Sequence, residues 1–442
     1  MYKSMKIFIL GMGKSGEAAA RTLCKDNEVL LTDIKFKDNK KIEELKKLGV
    51  NVIITENQEE LLDNSFDLVV KNPGVKPDNC VVLKAKRLGL PIVNEMEIAY
   101  NLLPKNVKIV GITGSNGKTT TTSITYEILK TANLKVHLGG NIGIPLCSIL
   151  DNIKEGDILV LEISSHQLVN LDKFKTNISA ITNFSEVHLD MFGTYDNYKK
   201  NKLNIFNHHT KEDIAIINGR DKDLVSYTKE IPSTKLYFNS IEESDCYIKE
   251  DKIYYKGEFV CELDDIRLKG MHNYENVMCA IMIAKEFNIS NRTIIETLNN
   301  FGGVEHRMEF VSRINGREFY NDSKATNNKS TIVALSSFKS PVILLLGGLD
   351  RGQSFDELDG HMEYVKEVIC YGQTKNKIED YCKSRGINVT VTSNLKEATK
   401  CAYNLSEEHD TILLSPACAS WDQYDSFEKR GEEFKEIIGE LE

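Results

Sequence analysis

Short apolar runs alternate with charged, helix-like stretches along almost the whole chain, and this rhythm limits most strongly what it can fold into. In the first block, "KIFILGMG", "EVLLTDI", "VNVIIT", "DLVVKNPG" and "PIVNE" are separated by segments such as "NKKIEELKKLG". That is the β-α-β pattern of a parallel sheet covered by helices. The block ends near "YNLLPKN" at 100–106. A second block opens at "VKIVGITG" and continues through "GDILVLEISS", "ISAITNFS" and "DIAIING". Within it, "KLYF" and "DKIYYKGEFVCEL" read as hairpin strands around Lys256-Gly257. The helices "NYENVMCAIMIAKEF" and "NRTIIETLNNF" close it, and "FGGVEHR" at 301–307 reads as a hinge. A third block starts at "REFYNDSKATN", with strands "PVILLLGG", "EVICYG", "NVTVTS" and "TILLSP". A chain of 442 residues is too long for one core. The expectation is an α/β protein of three domains, 1–104, 105–303 and 304–442: Rossmann-like, P-loop ATPase-type and Rossmann-like.

Charge narrows the partners. The net charge is −9 with no dominant basic stretch, which argues against nucleic acid. The apolar runs are far too short to span a bilayer, so membrane insertion is not expected. The N-terminus reads as a first strand and not as a signal peptide. Ten cysteines are scattered without CxxC pairs, which suits reduced thiols in the cytoplasm and argues against a cysteine metal site.

The stretch "GITGSNGKTT" at 111–120 follows an apolar strand and precedes a helix, "TTSITYEILK". Backbone N–H groups in such a turn, together with a helix N-terminus, point at an anion. Lys118 can neutralise phosphates and the Thr119 hydroxyl can bind Mg²⁺. The glycine spacing departs from G-x-x-x-x-G-K-[ST], although the G-K-T core is intact.

A second nucleotide-type signal is "GMGKSG", with Gly11, Gly13 and Gly16 after a strand and Asp33 ending the next one. It fits a dinucleotide or simply a tight strand-to-helix turn. "LVLEISSHQL" places Glu162 at a strand end, where it could hold Mg²⁺ or be an exposed acid. "NFSEVHLD" puts Glu186, His188 and Asp190 in a loop, where His188 is either a metal ligand or a loop histidine. Lys199, Lys200 and Lys202 read from residue chemistry alone as a solvated helix face. In "YNDSKATN", Asp322, Lys324 and Thr326 alternate, which would aim them to one side of an extended segment. In "LSPACASWDQYDSFEKRG", Ser415, Ser420 and backbone N–H groups could hold a carboxylate, and Cys418 reads as a small packed thiol.

Taken in order over the whole chain, these stretches resemble the Mur ligases, the ATP-dependent amide-forming enzymes of peptidoglycan precursor synthesis. "GITGSNGKTT" looks like their ATP loop, a family variant, which accounts for the glycine spacing. "GGNIGIP", "GMHNYEN", "EHRME" and "LLLGGLDRG" follow at the expected places. The C-terminal "SPACASWDQYDSFEKRGEEF" and the N-terminal glycines look like the member that joins D-glutamate to UDP-N-acetylmuramoyl-L-alanine. The resemblance implies a cytoplasmic monomer using ATP and two Mg²⁺ ions.

It also implies roles. Gly114, Ser115, Asn116, Gly117, Lys118, Thr119 and Thr120 would cradle ATP phosphates, and Asn273, Arg307 and Asp322 would contact the rest of the nucleotide. Thr119, Glu162, His188 and a carbamylated Lys202 would serve the metal ions. Lys118, His188, Lys202 and Lys324 would carry the catalysis. Ser15, Asp33, Lys35, Gly74 and Asn141 would hold the UDP-sugar. Thr326, Arg351, Ser420 and Phe427 would frame D-glutamate. Arg351 stands where some relatives have a carboxylate-binding lysine, and its fork can bind a carboxylate bidentately. The implied reaction passes through an acyl phosphate and a tetrahedral intermediate. A folylpolyglutamate synthetase would lack a counterpart to residues 1–104. A nicotinamide-dependent dehydrogenase leaves "SNGKTT" and "YNDSKATN" unexplained, and a non-catalytic nucleotide switch leaves the later acid, histidine and lysines unexplained.

Overall fold

The apolar run Lys6–Leu10 forms strand β1, buried along nearly its whole length, and the helix Lys14–Leu23 returns over it. In this computed structural model, which describes residues 2–36, 38–142, 144–186, 189–239 and 244–441, the β-α-β pattern recurs three times. Strands β2 (Glu28–Asp33), β3 (Asn51–Ile54), β4 (Leu68–Lys71) and β5 (Ile92–Val93) complete a parallel sheet in the order β3-β2-β1-β4-β5. The order reverses between β1 and β4, so a crevice opens beyond the carboxyl ends of those strands. Gly16 allows the first turn its tightness: a Cβ there would collide with the Gly11 carbonyl.

The second sheet holds β6 (Lys108–Thr113), β7 (Val136–Gly140), β8 (Ile158–Glu162), β9 (Ile178–Ile181), β10 (Ile214–Asn218), β11 (Thr234–Phe238), β12 (Cys246–Lys249), β13 (Lys252–Tyr255) and β14 (Glu258–Glu262). Among the described residues its order is β14-β13-β12-β11-β10-β9-β6-β8-β7. β6 lies between β8 and β9, so the loop after it sits at this sheet's own switch point. The expected hairpin is present: β13 and β14 are antiparallel around Lys256-Gly257, both at positive φ. "KLYF", however, is not a hairpin strand. As β11 it runs parallel to β10 over five residue pairs, with Leu236 and Phe238 buried as in any interior strand of this sheet. Sequence periodicity does not distinguish those two uses of a short apolar run.

The third sheet contains β15 (Glu309–Ile314), β16 (Arg317–Asn321), β17 (Val342–Gly347), β18 (Val365–Tyr371), β19 (Val389–Val391) and β20 (Thr411–Leu414), in the order β15-β16-β20-β17-β18-β19. β15 and β16 are antiparallel and joined by Asn315-Gly316, both at positive φ.

The chain divides into two compact units, Met1–Leu263 with Glu275–Thr297, and Asp264–Tyr274 with Leu298–Glu442. In the first unit, the first and second sheets share one core. Met96, Ile98 and Ala99 of the helix Glu95–Leu102 join the same apolar cluster as Leu146, Cys147 and Phe174. Burying each larger side chain contributes about 1.5–3 kcal/mol. Polar locks fix the seam. The Glu97 carboxylate accepts from the backbone N–H groups of Asp172, Lys173 and Phe174, each at 3.0 Å. Asn94 Nδ2 donates to the carbonyls of Gln167 and Val169, at 2.6 and 2.8 Å.

Candidate active site

The loop after β6 is built as its sequence suggests. Gly114 to Gly117 turn sharply into the helix Lys118–Thr131. Gly117 has φ +79° and faces Asn276 so closely that a Cβ would collide with its amide oxygen, so only glycine fits. The loop is pinned from the next strand's exit. Asn116 N donates to Asn183 Oδ1 at 3.0 Å, and Ser185 N donates to Ser115 Oγ at 2.8 Å. Tyr198 Oη pairs with Ser115 Oγ at 2.8 Å. The loop is held by its neighbours, as a phosphate cradle must be.

Three charged groups converge under it. Lys118 Nζ donates to the carbonyls of Gly114 and Ser115, both at 3.0 Å. Lys202 Nζ donates to the same Gly114 carbonyl at 2.8 Å and to Thr113 Oγ1 at 3.3 Å. Lys202 is 1% exposed and lies 4.9 Å above the Tyr198 ring. Burial, then the neighbouring Lys118 ammonium, push its amine well below the usual lysine value, while Glu162 pulls the other way. The helix Tyr195–Lys202 is therefore not a uniformly solvated basic face. Lys200 is exposed and paired with Asp196, and Lys199 bridges Asp223 at 2.8 Å beside Tyr195 and Tyr227. Lys202 alone of the three turns in to the loop, because it occupies the helix's inner face with Tyr198.

Glu162 ends β8 and is 2% exposed, not an exposed strand-end acid. Its Oε1 accepts from Asn141 Nδ2 at 2.5 Å, and Asn141 N donates to its backbone carbonyl at 2.8 Å. Among the described residues its Oε2 has no hydrogen-bond partner. A buried, unmatched carboxylate oxygen costs about 1–3 kcal/mol or more, and a cation removes that cost. This carboxylate, and the hydroxyl-bearing strand end and loop that Lys202 ties to it, offer hard oxygens of the kind suited to Mg²⁺. The residues present therefore fit such an ion. His188 and the side chain of Asp190 lie outside the described residues, and Glu186 is exposed.

The crevice at the first switch point has a volume of about 230 Å³ and is lined in part by Ser15, Asn141, Lys14, Asn72 and Gln167. Ser15 and Asn141 were expected there; Lys14, Asn72 and Gln167 were not. Asn72 packs against Gly11 and Gly13, and its Oδ1 accepts from Gly74 N at 3.3 Å. "NPG" follows β4 at the reversal of strand order, and that position is the signal that could have identified it. Asp33 accepts from the N–H groups of Met12 and Ile34, both at 2.7 Å, so it braces the glycine turn. Lys35 is exposed nearby in sequence.

In the second unit, Asp322, Lys324 and Thr326 do not lie along one side of an extended strand. β16 ends at Asn321, and the chain turns at once, with Ala325 N donating to the Asp322 carbonyl at 2.9 Å. The turn sends Asp322 inward. Its carboxylate accepts from Ser415 Oγ at 2.8 Å and from Met308 N at 3.2 Å, and burial pushes its pKa up to about 7 against those bonds. Ser415 is thereby committed to Asp322. Lys324 Nζ lies 5.5 Å over the Phe427 ring. Asn273 is buried at the start of the helix Met271–Glu286, its Nδ2 donating to the Lys269 carbonyl at 2.9 Å, and Arg307 bridges back to Val304. Ser420 is buried, and the Arg351 guanidinium lies over the Trp421 ring, 4.7 Å from its centroid.

Arg430, fully buried, was missed. It donates to Ser323 Oγ at 2.9 Å, to the Ser323 carbonyl at 2.7 Å and to the Cys418 carbonyl at 3.1 Å. It ties the turn after β16 to the loop after β20. Cys418 is a buried thiol raised by burial, as expected, and all ten cysteines are free.

Comparison with known proteins places the chain in a family. The Mur ligase middle domain matches residues 112–284, and the Mur ligase glutamate ligase domain matches residues 306–418. The chain is 42% identical, over all of its own length and 98% of theirs, to the UDP-N-acetylmuramoylalanine–D-glutamate ligases of Geobacillus kaustophilus (strain HTA426) and Bacillus cereus (strain G9842). Its fold is similar to that of the UDP-N-acetylmuramate-alanine ligase MurC from Thermotoga maritima, with TM-score 0.60 and 20% identity over 99% of this chain and 100% of that one. MurF from Acinetobacter baumannii gives TM-score 0.61 and 15% identity over 97% of this chain and 93% of that one. With a glycine loop that carries its lysine at one switch point, a crevice at another, and likeness along the full length, the chain belongs to the Mur ligase family.

Proposed function

We propose that this chain joins D-glutamate to UDP-N-acetylmuramoyl-L-alanine at the expense of ATP, releasing ADP and phosphate, in peptidoglycan precursor synthesis. The observation that carries this reading is the 42% identity along the whole chain to ligases of that name. No helix among the described residues is long and apolar enough to cross a membrane, and in this reading the chain works as a cytoplasmic monomer. We assign residues 1–104 to the UDP-sugar, 105–303 to ATP and 304–442 to the amino acid.

A carboxylate does not acylate an amine at neutral pH, because its oxygen is a poor leaving group. In this reading its oxygen attacks the γ-phosphorus of ATP, and ADP leaves. The free amine of D-glutamate then attacks the acyl carbon, and phosphate departs from the tetrahedral intermediate. The chain mainly positions anions and screens their repulsion. The N–H groups of Gly114 to Gly117 and Thr120 cradle the phosphates, and Lys118 leaves the loop carbonyls to meet them. Asn273, Arg307 and Asp322 hold the nucleotide, and Lys324 approaches the transferred phosphoryl group. Thr326, Arg351, Ser420 and Phe427 frame D-glutamate; Ser15, Asp33, Lys35, Gly74 and Asn141 hold the UDP-sugar.

Thr119, Glu162, His188 and Lys202 would hold Mg²⁺, which supplies charge neutralisation between the reacting anions. Burial favours the neutral amine of Lys202 over its ammonium, and in the neutral form its nitrogen can bond the carbon of CO₂ with loss of a proton. The carbamate so formed turns a buried cation into an oxygen ligand. The unmatched Glu162 oxygen beside it supports this set.

Incubation with ATP, UDP-N-acetylmuramoyl-L-alanine and isotopically labelled D-glutamate, followed by mass spectrometry, tests the proposal. The expected product is the UDP-sugar extended by one labelled glutamate. Extension by L-glutamate instead, or none with either isomer, would refute it.

A further inference from the structure

Trp421 is the chain's single tryptophan, and it is 64% exposed. One face is covered by the Arg351 guanidinium, 4.7 Å from its centroid. The two loops that carry them leave the carboxyl ends of neighbouring strands, β17 and β20, where ligands bind in sheets of this kind. They are knit together. Leu349 N donates to the Ala419 carbonyl at 2.9 Å, Arg351 N donates to Gln353 Oε1 at 2.9 Å, and Gln353 Nε2 reaches Cys418 Sγ at 3.1 Å.

Of the acids on these loops and the helix beside them, Asp350 pairs with Lys377, Asp356 and Asp359 pair with Arg385, and Asp422 Oδ2 accepts from Gln373 N at 3.1 Å. Among the described residues Arg351 has no carboxylate partner, and it is exposed. A free arginine there would sample many rotamers. The contact engages the guanidinium with the ring and takes up none of its N–H groups in a hydrogen bond, so its fork can still receive a carboxylate, and the indole restricts where the guanidinium sits.

We infer that Trp421 is a positioning residue that aligns Arg351 to receive a carboxylate of the incoming amino acid, and so sets the chain's preference for an acidic one. This rests on the function proposed above. The test is steady-state kinetics of Trp421→Ala, Trp421→Phe, Arg351→Ala and the double variant, with D-glutamate varied. Trp421→Ala is expected to raise the KM for D-glutamate about fivefold, the scale of an exposed cation–π contact, with less than about twofold change in the KM of ATP or of the UDP-sugar. Trp421→Phe, which keeps an aromatic face, should recover most of the loss. In the double variant the tryptophan change should add nothing to Arg351→Ala.

An unchanged KM in Trp421→Ala, where Arg351→Ala raises it, overturns this inference and leaves the proposed function standing. So do independent, additive effects. An unchanged KM in Arg351→Ala removes the carboxylate role of Arg351, and the inference with it. No D-glutamate-dependent turnover by the unaltered chain overturns the function itself.

Discussion

Lys202 and Lys118 donate to one and the same acceptor, the Gly114 carbonyl, from 2.8 and 3.0 Å. Two ammonium groups so close repel each other, and Glu162 is the carboxylate that offsets them. An arrangement this costly to bury adds little to stability, so it is expected to belong to the chemistry.

Lys202→Met keeps the buried stem and deletes the charge. It should fold, with a melting temperature equal to or above that of the unaltered chain, since a desolvated ammonium is removed. Ligation should fall by roughly a hundredfold or more, in the range seen when a metal's oxygen ligand or an electrostatic stabiliser is lost. Lys202→Ala opens room in which formate or acetate should restore part of the activity. Full activity of either variant without added anion would remove Lys202 from the mechanism.

Asn141 meets Glu162 twice, through its side chain and its backbone N–H. Asn141→Asp replaces the donor with an acceptor and sets two carboxylates against each other. The Mg²⁺ concentration for half-maximal activity should rise about tenfold to a hundredfold, the usual cost of losing a ligand's outer partner. Mg²⁺-dependent thermal stabilisation in the absence of turnover should weaken in parallel. An unaltered Mg²⁺ response would mean that Asn141 does not orient Glu162.

Glu95 gives a pH-dependent prediction away from this chemistry. It is 2% exposed, accepts from Cys147 N at 2.5 Å, and has a second oxygen without a partner among the described residues. Burial raises its pKa from 4.5 to about 7. Between those values the folded chain holds a proton that the unfolded chain has lost, so this group's contribution to stability falls as pH rises from 4.5 to 7. Above that window the ionised form costs about 3 kcal/mol. Glu95→Gln should therefore raise the melting temperature relative to the unaltered chain at pH 8.5 more than at pH 5. An equal difference at both pH values would contradict the assignment.

Much of the fold was legible because strand-length apolar runs between helical stretches leave few alternatives. The two glycine loops were legible because Gly117 and Gly16 stand where a Cβ cannot. The hairpin at Asn315-Gly316 carried its own turn signal, although β15 was not read from it. Lys202 was different. Its residue chemistry pointed to a solvated face, and only the resemblance picked it out, because burial beneath the loop is decided by tertiary packing. Asp322 was misplaced for a related reason: alternation assumes an extended chain, and the strand stops one residue before it. Arg430 left no trace, since a buried arginine and a surface one read alike until the carbonyls that satisfy it are known.

In the proposed reaction one chain couples ATP cleavage to the joining of two particular substrates. Phosphate release is the most direct measure of it, followed with ATP and Mg²⁺ alone, with UDP-N-acetylmuramoyl-L-alanine, with D-glutamate, and with both. Sustained release is expected only when both are present, with one phosphate for each amide formed. Sustained release with ATP alone, or with D-glutamate and no UDP-sugar, would contradict it.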